Sequence, residues 1–395
     1  MGEDRTHEGK NCPAADYTRD SSLGQHDDVF CKLYNRGVVC PFGARCRYKH
    51  GCYICGNPNH GASDHANERK NDKDEVHYAC SHLSVDRILT DAINYSLYRE
   101  LESILTEGAN IRYSGSRSIR HTAIKYGVRD EHRQLVRSKL DDDVQKRYRI
   151  VLSESQERDL KYVWYHPIGV VFKKSYGKDT DKPRLVDDCS AQGLNDQIDI
   201  PETSLNCWNN LICFIQTHPG TLFIGKSDIK SAYKLVAVRK ADRPLLCTRF
   251  NGKTYMSLRL PFGLRSSSYL WGVVAGALLY VVRQRCMEQL VSDFFIDVYV
   301  DDFIFVVTKA RDASRMMDIF LSVASAWKIP VSLDKTFNLT INPLEVLGVM
   351  IDPAHRTLSI PAKRMINLKN EIRSIGTASI SRRSLQSLIG HLVWL

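Results

Sequence analysis

Residues 293–308 constrain the fold of this chain more than any other stretch. Asp301 and Asp302 lie there between two runs of β-branched and aromatic residues. Such runs are typical of strands in a buried sheet, and Asp is a common turn residue, so the sequence predicts a hairpin that turns at Asp301-Asp302. Two adjacent carboxylates between apolar strands need a positive partner, for which a divalent metal ion is the obvious candidate. The alternative is an ordinary hairpin whose acidic tip faces water.

The chain is long enough for two or three domains, and its charge is unevenly distributed. It has 395 residues and a formal net charge of +10. Residues 1–80 contain 11 of the 55 Lys and Arg and 12 of the 45 Asp and Glu, which leaves 44 basic and 33 acidic residues in 81–395. The larger part is therefore the basic one, as expected for a surface that contacts phosphates. Many soluble domains are equally basic without such a partner.

The first residues and the cysteines indicate an intracellular protein, cytoplasmic or nuclear. The opening sequence Met-Gly-Glu-Asp-Arg-Thr-His is polar and charged, unlike a secretory signal. The longest apolar run, Trp271–Val282, is too short to cross a bilayer, so no membrane partner is expected. Five of the 12 cysteines lie within residues 31–55, a spacing typical of metal sites in a reducing compartment.

Three cysteines and a histidine near the N-terminus have the spacing of a zinc site. Eight, five and three residues separate the four candidate ligands Cys31, Cys40, Cys46 and His50. Four such ligands complete a tetrahedral Zn²⁺ site, and the metal would supply the folding energy of a segment too short to form its own core. With Gly37 and Gly43, the segment resembles the CCCH zinc-finger family.

Fingers of that family usually bind single-stranded RNA, which is therefore an expected partner. Basic side chains would contact phosphates and tyrosines would stack on bases. The candidate RNA-binding residues are Tyr34, Arg36, Arg45, Arg47, Tyr48 and Lys49. A structural or protein-binding zinc module is the alternative.

A second metal-binding motif follows directly. Its candidate ligands are Cys52, Cys55, His60 and His65. Together with Tyr53 and Gly56, they resemble the zinc knuckle of retroelement nucleocapsid proteins. That family has cysteine at the fourth position, where this chain has His65. Because imidazole also binds zinc, we expect a second, weaker Zn²⁺ site.

Helices are predicted before the apolar strands begin. Apolar residues mark one helical face from Val85 to Leu105, and Gly108 is a fitting stop. A second helical stretch is predicted over Asp142–Trp164. Neither stretch carries evident chemistry, so both are interpreted as packing helices.

Two strands are predicted next, Pro167–Lys174 and Lys182–Ser190. They carry Lys173 and Arg184, whose charge-assisted hydrogen bonds could hold a triphosphate. An exposed basic hairpin is the alternative.

Two weaker signals follow along the chain. An apolar strand that begins at Leu222 ends at Asp228. Pro261–Gly263 then forms a turn before an apolar helix predicted around Tyr269–Val282, whose free N–H groups would favour an anion.

In this order the motifs resemble those of reverse transcriptases, from roughly Pro167 to Leu395. The segment Tyr299–Asp302 matches the catalytic hairpin of that family, and Asp228 matches its other palm aspartate. Lys335 lies where the family has a lysine thought to protonate pyrophosphate. The resemblance therefore implies the catalytic residues Asp228, Asp301, Asp302 and Lys335.

Positions that contact the nucleotide also match the family. Tyr233, five residues after Asp228, matches the residue that excludes ribonucleotides, and Leu260–Gly263 matches a turn that contacts template and nucleotide. Arg184, with Asp188 four residues later, matches the fingers segment that holds the triphosphate. The implied nucleotide-binding residues are Lys173, Arg184, Asp188, Tyr233, Phe262, Gly263 and Tyr299. A core aromatic role is the alternative for Tyr233.

The resemblance implies polymerisation by in-line attack of a primer 3′-hydroxyl on the α-phosphate of a dNTP. Two Mg²⁺ ions, or Mn²⁺, would be held by Asp228 and Asp301 with Asp302 in support. The expected partners are an RNA template, a DNA or RNA primer and dNTPs. Because base pairing supplies the sequence information, the protein should recognise duplex shape and backbone.

The implied fold is α+β, with the fingers and palm of a right-hand polymerase, an antiparallel palm sheet and small N-terminal zinc-binding modules. The predicted organisation is a disordered N-terminus (1–28), a CCCH finger (29–51), a knuckle-like motif (52–66), a linker (67–83), a helical region (84–165), fingers and palm (166–365), and the start of a thumb or connection (366–395).

The subfamily and the state of the polymerase are further expectations. Asp228–Tyr233 and Phe262–Ser267 are most similar to retrotransposons of the tyrosine-recombinase class, although Ser268 stands where many relatives have proline. The chain ends soon after the palm-like motifs, so we expect a truncated copy. Two alternatives are an inactive element that acts as a zinc-finger RNA-binding protein, and an RNA-dependent RNA polymerase. Tyr233 argues against the latter.

Overall fold

The computed structural model of the chain describes residues 78–122, 128–175, 178–202, 206–290 and 292–375, and the single positions Cys46, His50, Arg382, Leu385, Gln386, Ile389 and Gly390. For residues 173–182 and 374–375 it describes the backbone. All helices and strands given below belong to the unit Tyr78–Leu395. Apart from Cys46 and His50, the predicted zinc ligands lie outside the described residues, as do the six predicted RNA-binding residues.

Eight α-helices lie in the described part of the chain. They are α1 (Val85–Asp91), α2 (Tyr98–Thr106), α3 (Asp130–Gln145), α4 (Glu154–Asp159), α5 (Cys207–Thr217), α6 (Ser267–Gln289), α7 (Ala310–Ala326) and α8 (Ala362–Ile375). The helix predicted around Tyr269–Val282 is confirmed as α6, which extends further at both ends. Most of its residues are buried on all sides, as expected of a helix without a polar face.

Thirteen strands complete the described secondary structure. They are β1 (Arg149–Leu152), β2 (Tyr165–His166), β3 (Ile168–Ser175), β4 (Lys178–Asp187), β5 (Phe223–Ile229), β6 (Cys247–Phe250), β7 (Lys253–Ser257), β8 (Phe294–Tyr299), β9 (Asp302–Val307), β10 (Val331–Thr340), β11 (Leu344–Val346), β12 (Val349–Asp352) and β13 (Thr357–Ser359). The α+β class predicted from the sequence is therefore confirmed.

Two helix predictions differ from the structure. The apolar face marked from Val85 to Leu105 belongs to two helices, α1 and α2, separated by a turn in which Tyr95 packs 6.0 Å from the ring of Tyr280. The helix predicted over Asp142–Trp164 is wrong beyond Gln145, where β1 and α4 take its place. A capping box formed by Ser153 and Gln156 begins α4, which is only 6 residues long.

The central sheet is antiparallel, as predicted, with the strand order β10-β5-β9-β8. Its strand β9 alternates between two hydrophobic clusters. Phe303, Phe305 and Val307 pack in the cluster that contains α6 and α7, whereas Ile304 and Val306 pack in the cluster that contains α5. Both faces of β9 are therefore covered, which explains why its residues after Asp302 are continuously apolar.

A second sheet, with strand order β1-β7-β6-β2, lies beside the antiparallel pair β3–β4. This pair confirms the two strands predicted around the basic segment, with Val171 opposite Arg184. Ile168 of β3 shares a small hydrophobic cluster with Leu140 of α3 and Tyr255 of β7. The cluster anchors the hairpin to the second sheet.

The N-terminal helices share the main core with the central sheet. Residues of α1 and α2, including Ile88 and Leu101, pack in the same cluster as Trp271 of α6 and Phe320 of α7. The predicted helical region therefore contributes to the core around the central sheet. None of the helices in the described residues combines the length and hydrophobicity needed to cross a bilayer.

Candidate active site

The hairpin of β8 and β9 ends in a two-residue turn. Tyr299 pairs with Asp302, so Val300 and Asp301 form the turn and Asp302 begins β9. The turn predicted at Asp301-Asp302 is therefore wrong by one residue. Val300 has a φ of +58°, and a positive φ at the first turn position is what a type II′ hairpin requires. For a β-branched residue this conformation is strained by about 1–3 kcal/mol.

Three carboxylates lie at or beside this turn. Pairing of β5 with β9 places Asp228 directly opposite Asp302, and opposed residues of an antiparallel pair have side chains on the same face. The Ile229 N–H donates to the Asp301 carbonyl over 3.1 Å and so ties the turn to the end of β5. The structure therefore brings the three predicted catalytic aspartates to one end of the central sheet.

Burial and mutual repulsion disfavour negative charge on two of these carboxylates. Burial raises the pKa of Asp301, and the charge of Asp228 raises it further. Burial likewise raises the pKa of Asp302, with further contributions from Asp301 and Asp228. Arg184 and Lys335 lower the pKa of Asp301 by smaller amounts. Such a group of carboxylates is stabilised by a cation.

Lys335 supplies positive charge to this group. Its Nζ donates to both carboxylate oxygens of Asp228 at 2.9 Å, and the Ser332 hydroxyl donates to one of them at 2.8 Å. Asp228 is buried, whereas 53% of the Lys335 side chain is exposed. The catalytic lysine predicted from the sequence is therefore in direct contact with a predicted metal ligand.

The donor set suits a divalent cation, although its present geometry does not form a metal cage. Among the described residues, no group of three or more His, Cys, Asp and Glu side chains is arranged to hold a metal ion. Lys335 instead binds the oxygens that Asp228 would offer. Carboxylate oxygens are nevertheless the ligands that Mg²⁺ prefers, and the raised pKa values of Asp301 and Asp302 show how little positive charge the site contains.

Three predicted nucleotide-binding residues form an aromatic and basic cluster near the carboxylates. The ring centroids of Tyr233 and Phe262 are 5.2 Å apart, and the Arg184 guanidinium lies 5.4 Å from the Phe262 centroid. Burial raises the pKa of Tyr233, and the Asp301 charge raises it further. The cluster is therefore close enough to Asp301 to respond to its charge, and Arg184 is exposed to solvent.

The other predicted site residues lie around this cluster or at the hairpin. Asp188 is exposed, and its carboxylate accepts from the N–H groups of Ser190 and Ala191 in a turn. Tyr299 is partly exposed at the end of β8. Lys173 lies on β3, but its side chain is outside the described part of the structure.

Gly263 is required by close packing of two backbones. Its φ is +97°, and a Cβ at this position would lie 2.0 Å from the carbonyl oxygen of Asp187. The Asn195 side chain donates to the Gly263 carbonyl over 2.9 Å and accepts from the Arg265 N–H over 2.8 Å. These contacts join the turn that contains Phe262 to the segment that follows β4, which carries Arg184.

A buried ion pair supports the same junction. Arg149 of β1 donates to both carboxylate oxygens of Asp187, at 3.0 and 2.6 Å, and the Thr248 hydroxyl donates to the first of them at 2.7 Å. The Asp187 N–H in turn donates to the Phe262 carbonyl over 3.0 Å. Sequence reasoning missed Arg149, Asp187 and Asn195, since none stands in a motif that marks a buried polar contact.

Replacing Gly263 with alanine should destabilise the fold more than the same change at Gly252. Gly252 also has a positive φ, +74°, but nothing lies within 4 Å of a Cβ built there. Gly252→Ala should therefore cost about 1–2 kcal/mol from its backbone conformation alone. Gly263→Ala should cost about 1–3 kcal/mol more, because the two backbones must separate. Denaturant unfolding of both variants measures the difference, and equal losses would contradict the packing role of Gly263.

Comparisons with known proteins agree with this geometry. Residues 180–351 match the family model described as reverse transcriptase (RNA-dependent DNA polymerase). The fold is similar to the foamy viral protease-reverse transcriptase dRH in complex with double-stranded DNA, with a TM-score of 0.55, 17% identity and coverage of 79% of this chain and 52% of that one. No curated protein matches the sequence.

Two further foamy viral structures show the same likeness. The protease-reverse transcriptase in complex with an RNA/DNA hybrid gives a TM-score of 0.55 at 17% identity, over 79% of this chain and 40% of that one. The enzyme in complex with double-stranded DNA gives 0.51 at 18%, over 79% and 62%. This chain thus spans about half the length of these proteins, and the likeness confirms the polymerase fold. The chain carries a reverse transcriptase domain, with the α+β fold of the viral enzymes.

Proposed function

We propose that this chain is an RNA-directed DNA polymerase that extends the 3′-hydroxyl of a primer with dNTPs. The observation that supports it best is the position of Asp228, Asp301 and Asp302 beside the cluster of Tyr233, Phe262 and Arg184. The foamy viral relatives are described in complex with double-stranded DNA and with an RNA/DNA hybrid. These complexes support a template–primer duplex as the partner of this chain.

The proposed roles follow from the chemistry of each side chain. Asp228 and Asp301 would hold two Mg²⁺ or Mn²⁺ ions, with Asp302 in support. Bound divalent ions activate the attacking hydroxyl and stabilise charge on the transferred phosphoryl group and the leaving oxygens. Arg184 binds the triphosphate by charge-assisted hydrogen bonds, and its stacking on Phe262 restricts the guanidinium. The Tyr233 ring lies against Phe262 and bounds the sugar position.

Lys335 is the proposed proton donor to the leaving pyrophosphate. Its ammonium group is within hydrogen-bond distance of both Asp228 oxygens, so a proton is already held beside the carboxylates. The side chain is half exposed and can turn from Asp228 to a leaving group. Asp188, Lys173, Gly263 and Tyr299 complete the proposed nucleotide site, with Gly263 acting through the backbone contact described above.

We also propose that the N-terminal cysteine and histidine motifs bind zinc and single-stranded RNA. Ligand spacing and the adjacent basic and aromatic residues support this. The motif wording supports a retrotransposon of the tyrosine-recombinase class as the source. The buried free thiols of Cys80, Cys189, Cys207, Cys247 and Cys286 agree with a reducing compartment, cytoplasmic or nuclear.

Metal analysis of the full chain should find between one and two zinc ions per molecule. Cys40→Ser should remove the tighter one, because three remaining ligands bind zinc much more weakly. Cys213→Ser is the matched control, since Cys213 is exposed and lies outside both motifs. A wild-type protein without zinc, or equal zinc content in Cys40→Ser and wild type, would contradict the zinc assignment.

Primer extension by the full chain tests the polymerase function. We expect DNA synthesis on an RNA template with dNTPs, and little incorporation of NTPs. Preferential use of NTPs would instead indicate an RNA-dependent RNA polymerase. Binding of single-stranded RNA without any extension would indicate an RNA-binding protein.

A further inference from the structure

The backbone conformation of Val300 determines where the Asp301 carboxylate lies. Val300 precedes Asp301 in the turn and has a φ of +58°. Branching at Cβ makes this region of φ unfavourable, so the turn conformation needs support from its surroundings. A relaxed Val300 would reorient the peptide bond that leads to Asp301, and with it the carboxylate.

Trp271 provides a contact that supports this conformation. Its indole Nε1–H donates to the Val300 carbonyl over 2.7 Å. Trp271 is 0% exposed and lies in the second turn of α6, packed in the main hydrophobic cluster. The donor is therefore held by a rigid helix, and the hydrogen bond fixes the orientation of the peptide bond between Val300 and Asp301.

The adjacent carbonyl is held from the opposite side of the turn. The Asp301 carbonyl accepts from the Ile229 N–H at the end of β5. Consecutive carbonyls of the strained turn are thus bound by two different elements, α6 and β5. The β5 bond follows from sheet pairing, whereas the α6 bond depends on one side-chain N–H.

We propose that Trp271 is a positioning residue for polymerisation, which acts through the hydrogen bond from its indole N–H to the Val300 carbonyl. The bond keeps the turn in the conformation that presents Asp301 beside Asp228 and Asp302. This inference rests on the proposed function. A purely structural role would depend on the volume of the ring in the core, whereas positioning depends on the N–H, and the two properties can be separated.

Trp271→Phe separates them because it keeps an aromatic ring and removes the donor. Trp327→Phe is a matched control: Trp327 is also 0% exposed, and its indole N–H donates to Asp91 over 2.9 Å, a contact between the end of α7 and α1. Both variants lose a buried indole hydrogen bond. We expect Trp271→Phe to lower kcat by about tenfold to a hundredfold, as for other small misplacements of reacting groups. KM for the template–primer should remain unchanged, and Trp327→Phe should keep kcat within about twofold.

Val300→Gly provides a second, independent test in a double-mutant cycle. Glycine adopts a positive φ without strain, so the turn no longer needs the indole contact to the same extent. Trp271→Phe should therefore lower kcat less in the Val300→Gly background than in wild type. Equal losses in the two backgrounds would overturn the positioning role, as would a Trp271→Phe variant with wild-type kcat or a matching loss in Trp327→Phe.

The rise in Tm on addition of Mg²⁺ distinguishes failure of this inference from failure of the proposed function. We expect the rise in wild type and Trp327→Phe, and a smaller one in Trp271→Phe, because a misplaced Asp301 binds the ion less well. If wild type shows the rise but extends no primer, the proposed function fails and the comparison of Tm still decides the role of Trp271. An equal rise in all three proteins, or none in wild type, would overturn the role of Trp271.

Discussion

Replacing Asp301 or Asp228 with asparagine should abolish primer extension without unfolding the chain. Metal ions contribute several kcal/mol to stabilisation of a phosphoryl-transfer transition state, so removing a ligand charge should lower kcat by at least about a thousandfold. Single-turnover extension measures the loss. Asp318→Asn, an exposed carboxylate on α7 away from the turn, is the matched control and should retain activity.

The stability of Asp301→Asn gives a second readout of the same site. The pKa of Asp301 is raised in the fold, so its favourable contribution is present below the ordinary pKa of aspartate and is lost as the pH rises through the raised value. Asparagine is neutral at every pH and avoids this loss. At neutral pH, metal-free Asp301→Asn should therefore melt no lower than wild type. Extension equal to that of wild type would show that the catalytic site is misassigned.

Lys335→Ala should be less damaging than either aspartate change. The carboxylates remain, and a general acid typically contributes about a hundredfold to ten-thousandfold. Removal of the ammonium group from Asp228 also leaves that carboxylate without its main cationic partner. Lys335→Ala should therefore bind Mg²⁺ at least as well as wild type while extending more slowly, which a Mg²⁺ titration of both proteins can measure.

Tyr233→Ala should admit ribonucleotides while leaving dNTP incorporation largely intact. The Tyr233 ring packs against Phe262 near Asp301, so it lies where the sugar of an incoming nucleotide would meet the carboxylates. A ribose 2′-hydroxyl would collide with the ring, whereas deoxyribose would pack on it, and this steric exclusion sets specificity. The ratio of kcat/KM for dNTPs to that for NTPs should fall sharply in Tyr233→Ala.

Tyr233→Phe is the control for this prediction because it keeps the ring and should keep the discrimination. If Tyr233 served only as a core aromatic, its truncation would cost about 3–5 kcal/mol of stability and lower both activities together. An unchanged ratio of kcat/KM in Tyr233→Ala would therefore refute its role in excluding ribose.

Strand and helix predictions succeeded where burial was continuous. Strand β9 and helix α6 are covered on all sides, so their unbroken apolar sequences reported their environment directly. The prediction over Asp142–Trp164 failed because β1 is only 4 residues long and partly exposed, which leaves too few apolar positions to distinguish a strand from a helix. The turn at Val300 was misplaced because valine rarely adopts a positive φ.

The candidate site was predictable only where its residues belong to motifs. Asp228, Tyr233 and Phe262 stand next to strand ends and turns that the sequence marks, and the structure brings them together. Arg149 and Trp271 act through tertiary contacts with residues 38 and 29 positions away. Such contacts have no local periodicity, so packing alone revealed them.

The Mg²⁺ dependence of primer extension by the full chain on an RNA template tests the carboxylate site most directly. We predict no extension of the primer by dNTPs in the presence of a chelator, full extension after Mg²⁺ is restored, and none at any Mg²⁺ concentration for Asp301→Asn. Extension that persists in the chelator, or an Asp301→Asn protein that matches wild type at saturating Mg²⁺, would contradict the assignment.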